Sequence, residues 1–266
     1  MNKTQLRSLL VIDDPEKETM YGVIGRMKVL LTYFDRKQEY SSLLPFLKTY
    51  YYVTEAGAEK YLKYKHYFYN LQDFVKLDVY FATLYFKPLF LFLTEGELVK
   101  PWQTYFHYCR RGDGVPFLQM LLGINAHINA DLYTALIDLE YKHQGDFFLV
   151  NDILQEVTPS VMRYLAFAKH DILGLTGLIW KDFALTEFHN IVERWRSEAW
   201  AHAQLTSKDN KQVMQTNVIE QTEEMGKLLL IHLTGIHRLH TIPEVVSTLH
   251  TLSLQIGRKK GEAYFQ

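Results

Sequence analysis

The sequence predicts an all-α fold, and three observations lead to that prediction. Apolar residues recur at spacings of three and four along most of the 266 residues, as they do on the buried face of a helix. Only 14 glycines and 7 prolines are present, which is few for a turn-rich β fold. No convincing segment alternates apolar and polar residues in the manner of a strand. We therefore expect one domain, residues 1–266, built as a multi-helix bundle around a buried central helix.

Capping residues indicate where several helices begin. Asp14-Pro15 and Thr158-Pro159 each resemble an N-cap followed by proline at the first helical position. Thr94, with a glutamate three residues later, fits a capping box. The predicted helices lie near residues 15–34, 42–68, 71–92, 98–109, 116–142, 147–156, 159–168, 172–206, 213–236 and 243–257, and the last two form a C-terminal helical extension over about 213–258.

Composition excludes several classes of function. Lys and Arg number 29 against 30 Asp and Glu, so no polycationic surface for nucleic acid is expected. The single cysteine, Cys109, excludes an intramolecular disulfide and a zinc site built from cysteines. The longest apolar run, residues 89–93, is far shorter than the ~20 residues that span a membrane. We expect a cytoplasmic protein with no nucleic-acid partner and no membrane span.

The predicted central helix carries polar residues into the interior. Projected at roughly 100° per residue, residues 117–140 are apolar almost all round, which is typical of a buried helix. Asn125 and Asn129 lie in the middle of its leucine face, and His127 and Asp131 emerge on the opposite side. Each pair is spaced i,i+4, so its two side chains point the same way. Buried polar groups are costly unless they are partnered, so we expect partners on neighbouring helices.

Two other predicted helices place charged residues on apolar faces. Asp78 projects onto the apolar stripe of one, where a carboxylate needs a cation, a metal or a hydroxyl such as that of Tyr85. Arg196 lies on the apolar face of the other, with Trp200 and with His189 on the same side. A buried guanidinium suits a carboxylate. We therefore expect Arg196 to pair with Asp78 or with the aspartate of the central helix, in one polar cluster that includes the central histidine.

The central motif resembles a known family signature. Residues 125–132, Asn-Ala-His-Ile-Asn-Ala-Asp-Leu, resemble the signature of a bacterial helical family that is catalogued as a domain of unknown function. Supporting similarities follow in the expected order: residues 77–86, Pro101-Trp102, residues 146–151 and residues 196–203. The resemblance spans about residues 20–206 and implies a helical fold and the position of a site, but no reaction. Ser197 departs from the acid of many members, so a local salt bridge to the preceding arginine is not implied.

The first functional hypothesis is an enzyme, a metal-assisted or acid–base hydrolase with a small-molecule ligand. His127 is then the general base or a metal ligand, and Asp131 and Asp78 are ligands or orienting groups. Arg196 would bind an anionic group or developing negative charge. Together, His127 and Asp131 could hold a divalent metal as one form of this site. Five further residues are predicted to bind the ligand: Tyr85, Asn125, Asn129, His189 and Trp200.

Two alternatives come from other classes of protein. The Tyr- and Phe-rich residues 80–92 favour a non-catalytic module that binds a small apolar or lipid-like molecule. The buried polar residues are equally those of a structural protein whose internal hydrogen-bond network sets the register of its helices.

Overall fold

Helices account for most of the chain and surround one buried helical segment. The computed structural model describes residues 1–63, 68–168 and 178–235, and within these ranges it contains helices and no strand. The predicted all-α class is confirmed. In chain order the elements are α1 (Lys3–Leu10), α2 (Met20–Asp35), a 3₁₀ helix (Gln38–Leu43), α3 (Leu44–Lys63), α4 (Leu71–Leu93), α5 (Gln103–Arg110), α6 (Pro116–Ala126), a π-helical segment (His127–Leu132), α7 (Tyr133–Asp138), α8 (Gln144–Ala168), α9 (Leu178–Leu205) and α10 (Lys211–Gly235).

The N-terminal helices begin where capping side chains satisfy free amides. Helix α1, which the sequence analysis missed, has a capping box in which Asn2 and Gln5 exchange hydrogen bonds of 2.9 Å. Helix α2 begins at Met20 rather than near residue 15, because the Thr19 hydroxyl accepts a hydrogen bond from the amide of Gly22 at 3.0 Å. The predicted start at Asp14-Pro15 is therefore wrong, and these residues precede the helix.

Two further predicted starts are wrong. The helices expected at 147–156 and 159–168 are one helix, α8, with Pro159 inside it. The Thr158 hydroxyl donates to the carbonyl of Leu154 at 2.6 Å, so it bonds back into the helix instead of capping a new one. Helix α8 continues through Pro159 and packs against α3 and α9. Thr94 ends α4 rather than beginning a helix, since its amide donates to the carbonyl of Phe90.

The remaining boundaries follow the predicted ones with short displacements. Helix α5 begins at Gln103 rather than at 98, and α3 begins at Leu44 after the 3₁₀ helix. The predicted helix at 243–257, and with it the end of the C-terminal extension, lies outside the described residues. No helix in the described part of the chain is long and apolar enough to cross a membrane.

Residues 116–138 form the predicted central helix. Helix α6, the π-helical segment and α7 follow one another without a break, and every residue from 118 to 133 is buried. Helices α3, α4, α9 and α10 all pack against parts of it. The π-helical turn, which the periodicity did not predict, coincides with His127–Leu132. Such turns are rare and are frequent at functional sites.

Candidate functional site

A cavity of about 110 Å³ lies beside the π-helical segment. Helices α3, α4, α8 and α9 contribute most of the other walls, with single residues from α2 and α6, and most of the described lining side chains are apolar. An engineered apolar cavity of about 150 Å³ accommodates benzene, so a cavity of this size can hold a small organic group. The described lining residues with polar side chains are Thr49, Tyr50, Thr54, Asp78, His127, Thr158 and Arg196.

The π-helical segment places His127 at this cavity with one ring nitrogen engaged. Its Nδ1 lies 3.0 Å from Oδ2 of Asp131, and the indole Nε1 of Trp102 donates to the same oxygen at 3.1 Å. An indole N–H can only donate, so Oδ2 accepts from Trp102; when Asp131 is ionised, Oδ2 also accepts from Nδ1 of His127, which then carries the proton. In the neutral ring, Nε2 is then unprotonated. This atom is buried and has no hydrogen-bond partner among the described residues.

Aromatic rings hold the imidazole in one orientation. The Phe81 ring stacks on His127 with centroids 3.5 Å apart and planes inclined by 6°. The Tyr50 ring meets it edge-on at 4.5 Å, and Phe46 does so at 5.7 Å. Burial lowers the pKa of His127 well below its usual range, because the charged form loses its hydration. The result is a neutral imidazole that cannot rotate freely.

Asp131 is held behind the histidine. Burial raises its pKa well above the usual range, and the hydrogen bond from the Trp102 indole opposes that rise. Both described hydrogen bonds to the carboxyl group converge on Oδ2. Asp131 therefore orients His127, and its ionised form can stabilise a positive charge on the imidazole.

Asp78, on α4, supplies a second titratable group to the cavity. The residue as a whole is half-buried, yet its Oδ2 is fully buried and unpartnered in the described structure. Burial raises the pKa of Asp78 from 3.8 to about 7. Tyr50 and Thr54, from α3, also line the cavity, and the hydroxyl oxygen of each is buried without a described hydrogen-bond partner. Asp78 and two residues with hydroxyl groups thus line the same cavity.

Arg196 lines the same cavity but forms neither expected ion pair. Its Nε donates to Oδ1 of Asn151 at 2.8 Å, and its Nη2 donates to the carbonyl of Phe147 at 2.7 Å. The guanidinium lies over the Phe147 ring, 4.4 Å from its centroid. The predicted bridge to Asp78 or Asp131 is wrong, because α8 supplies the nearest acceptors. Asp78, Arg196 and His127 were predicted to lie in one polar cluster. All three line one cavity, and this is the only part of that prediction that the described structure confirms.

The two central asparagines face another helix. Asn129 Nδ2 donates to Oδ1 of Asn125 at 3.0 Å, and Asn125 Nδ2 donates to the carbonyl of Thr222 on α10 at 2.9 Å. Neither asparagine is among the described lining residues. Their arrangement ties the central helix to α10 and fixes its register.

The other predicted ligand-binding residues lie near the cavity without lining it in the described structure. The ring centroids of Tyr85 and His127 are 6.0 Å apart, and the Tyr85 hydroxyl is buried without a described partner. His189 pairs with Glu193 at 3.6 Å within α9. Trp200 packs on the Phe147 ring with centroids 4.9 Å apart, behind Arg196.

The geometry does not supply a metal-ligand set in the described ranges. His127 and Asp131 bond to each other, and among the described residues no group of three His, Cys, Asp or Glu side chains could hold a metal ion. The expected metal pair therefore has no third protein ligand there.

Sequence reasoning missed three side chains that shape the site. Trp102 holds Asp131, and its only signal was its place in the Pro-Trp pair of the family resemblance. Tyr50 and Phe81 enclose the imidazole, but nothing distinguishes them from the other 32 Tyr and Phe residues in a chain with 18 Tyr and 16 Phe. Their role depends on which helices meet.

Comparison with known proteins places the whole site within one family. A family model described as a family of unknown function matches residues 20–233. The match extends beyond the predicted limit at 206 and includes most of α10. Searches of curated proteins and of solved structures found no match. Because the family model covers most of the chain, the protein belongs to the family of unknown function DUF5995.

Proposed function

We propose that the cavity binds a small, mainly apolar molecule and that His127 acts on it as a general base. One observation carries this proposal. A neutral imidazole that lines the cavity is held rigidly by aromatic rings and by Asp131, and its Nε2 has no hydrogen-bond partner among the described residues. A general base needs an unprotonated atom within reach of its substrate and a partner that stabilises the resulting cation.

A hydrolysis matches the groups present. His127 Nε2 takes a proton from water as the water oxygen forms a bond to an ester carbonyl carbon. Asp131 stabilises the imidazolium, as the third member of a triad does. When the ester C–O bond breaks, Asp78 in its protonated form donates its proton to the leaving oxygen. A carboxyl group with a pKa of about 7 suits that exchange at neutral pH.

The unsatisfied polar atoms favour a site over a purely structural network. Nearly all buried polar atoms in folded proteins have hydrogen-bond partners, so each exception needs an explanation. Nε2 of His127, Oδ2 of Asp78 and the hydroxyls of Tyr50 and Thr54 are all buried, lack described partners and belong to residues that line one cavity. The Asn125–Asn129 pair, which fixes helix register, leaves only one of its side-chain polar atoms, Oδ1 of Asn129, without a described partner.

Hydrolysis of p-nitrophenyl acetate, the shortest ester of this type in common use and chosen because the cavity is small, tests the proposal. We expect the wild-type protein to release p-nitrophenol faster than buffer, and His127→Gln to reduce that rate by about 10²-fold or more. His107→Gln changes an exposed histidine on α5 and should leave the rate unchanged. No turnover by the wild-type protein, or equal turnover by His127→Gln, would contradict the hydrolase proposal.

A non-catalytic binding protein is the second candidate, and the mainly apolar lining favours it. In that case a small aromatic probe such as toluene binds saturably to the wild-type protein, and the ester assay shows no turnover that depends on His127. Titration calorimetry with toluene measures this binding directly.

A further inference from the structure

We propose that the molecule bound in this cavity is a monocarboxylate with an apolar tail, and that Arg196 holds its carboxylate. This inference rests on the proposed function, since it names the ligand of the same cavity. It starts from a different observation, the environment of the guanidinium group.

Arg196 is a buried charge without a bound counter-charge in the described structure. The residue is 5% exposed, and both of its described hydrogen bonds go to uncharged oxygens, those of the Asn151 amide and the Phe147 carbonyl. No described bond uses the two N–H groups of Nη1. Burial lowers the pKa of Arg196 to about 10, so the group is still protonated at neutral pH. Arginine is almost never fully buried unless it is paired.

The nearest carboxylate on α9 does not replace a bound anion. The charge of Glu193 raises the pKa of Arg196, but no described hydrogen bond or ion pair joins the two side chains; Asn151 bonds to both, and its Nδ2 donates to Oε1 of Glu193 at 3.4 Å. The side chain of Glu193 is 46% exposed and also pairs with His189. Water therefore screens its charge, while Asn151 turns its oxygen towards the guanidinium.

The guanidinium is held in a fixed plane, as recognition of a carboxylate requires. The Phe147 ring stacks against it at 4.4 Å, and the two hydrogen bonds to α8 fix its rotation. A planar guanidinium that is already oriented binds a carboxylate through two parallel N–H···O bonds. Less side-chain entropy is then lost on binding.

The charge and the lining define the rest of the ligand. Arg196 is the only described lining residue with a permanent positive charge, so it balances one negative charge. A phosphate dianion would leave excess charge in a cavity that also contains Asp78. Apolar side chains such as Val150, Ile153 and Val192 provide a surface for a hydrocarbon tail. The reacting part of the ligand then lies towards His127.

Isothermal titration calorimetry with hexanoate and hexan-1-ol tests the inference, because these two probes share a six-carbon chain and differ in the anionic group. We expect the wild-type protein to bind hexanoate at least about tenfold more tightly than hexan-1-ol, as a charge-assisted pair should give. Arg196→Gln should remove this preference, and Arg196→Lys should retain part of it. Arg36→Gln, which changes an exposed arginine, should preserve it fully.

The outcomes separate this inference from the proposed function. Equal affinity for hexanoate and hexan-1-ol in the wild-type protein overturns the carboxylate inference and leaves the cavity and its histidine unaffected. Absence of binding by either probe also overturns it, while the ester assay, which uses an uncharged substrate, still decides the role of His127. If circular dichroism shows that Arg196→Gln is unfolded, the wild-type comparison alone remains decisive.

Discussion

Burial determines what the individual residues of the cavity can do. His127 loses its charge because its surroundings exclude water, and this leaves Nε2 free to accept a proton. Asp78 keeps its proton to a higher pH for the same reason. Burial thus brings the pKa of Asp78 close to neutral pH and keeps His127 unprotonated there.

The raised pKa of Asp78 should make stability fall with rising pH. The folded state binds this proton more tightly than the unfolded state does, since burial raises the pKa from 3.8 to about 7. The stabilisation is therefore fully present below about pH 4 and is lost as the pH rises to about 7. One pKa unit corresponds to about 1.4 kcal/mol, so the loss is at most about 4 kcal/mol.

Urea unfolding of the wild-type protein and of Asp78→Asn at pH 4 and pH 8 measures this effect. The asparagine variant cannot ionise at this position, so we expect its stability relative to the wild-type protein to increase with pH. The two proteins share all other titrating groups, so the effects of those groups cancel in the difference between their unfolding free energies. A stability difference that does not change with pH would show that Asp78 titrates normally.

At the scale of elements, close contact between α3 and α6 sets one wall of the cavity. A Cβ atom built on Gly123 of α6 would lie 2.4 Å from Cγ of Phe46 on α3. The Phe46 ring also meets His127 edge-on and lines the cavity. A movement of this ring would therefore change both its contact with His127 and the shape of the cavity. Glycine at 123 therefore allows the two helices to approach.

We expect Gly123→Ala to lower the free energy of unfolding by about 1–3 kcal/mol through overpacking. Gly25→Ala on α2 is a matched control, because its Cβ would meet nothing within 4 Å. Alanine there should stabilise the helix by about 0.5–1 kcal/mol. Chemical denaturation of both variants gives the comparison, and equal effects would mean that the α3–α6 contact is not tight.

At the scale of the whole molecule, α10 is joined to the domain through buried polar contacts. Glu223 on α10 is 2% exposed and accepts a hydrogen bond of 2.7 Å from the Thr104 hydroxyl on α5, 119 residues away in sequence. Asn125 binds the backbone of the same helix. Helix α10 is thus part of the packed domain, in agreement with the family match to residue 233.

Thr104→Val should destabilise the protein by about 1–3 kcal/mol, because it removes a donor from a buried carboxylate while keeping the side-chain shape. Thr216→Val, which removes an exposed hydroxyl that donates to the carbonyl of Gln212 in the same helix, should change stability by less than about 0.5 kcal/mol. Thermal and urea unfolding measure both. Similar values for the two variants would show that the Thr104–Glu223 contact contributes little.

Local patterns in the sequence were sufficient for the fold class and for the central helix. The spacing of apolar residues repeats with each helical turn, so it predicts a helix and the direction of each side chain without knowledge of the neighbours. It therefore identified the central helix, predicted over 116–142 and observed over 116–138, and the burial of His127, Asp131 and Asn125. Helix ends were less predictable. A threonine followed by proline is typical of a helix start, yet Thr158-Pro159 lies inside α8, and the local sequence does not distinguish the two positions.

Only the tertiary structure decided which groups meet. The helical projection placed Arg196 on a buried face, but whether Asn151 or an aspartate lay opposite depended on how α8 packs against α9. In the same way, Trp102 reaches Asp131 only because α5 lies beside the central helix. The direction in which a side chain leaves its helix is set by the local sequence. The residue that it meets there comes from a distant part of the chain. The cavity exists where those distant helices leave space between them.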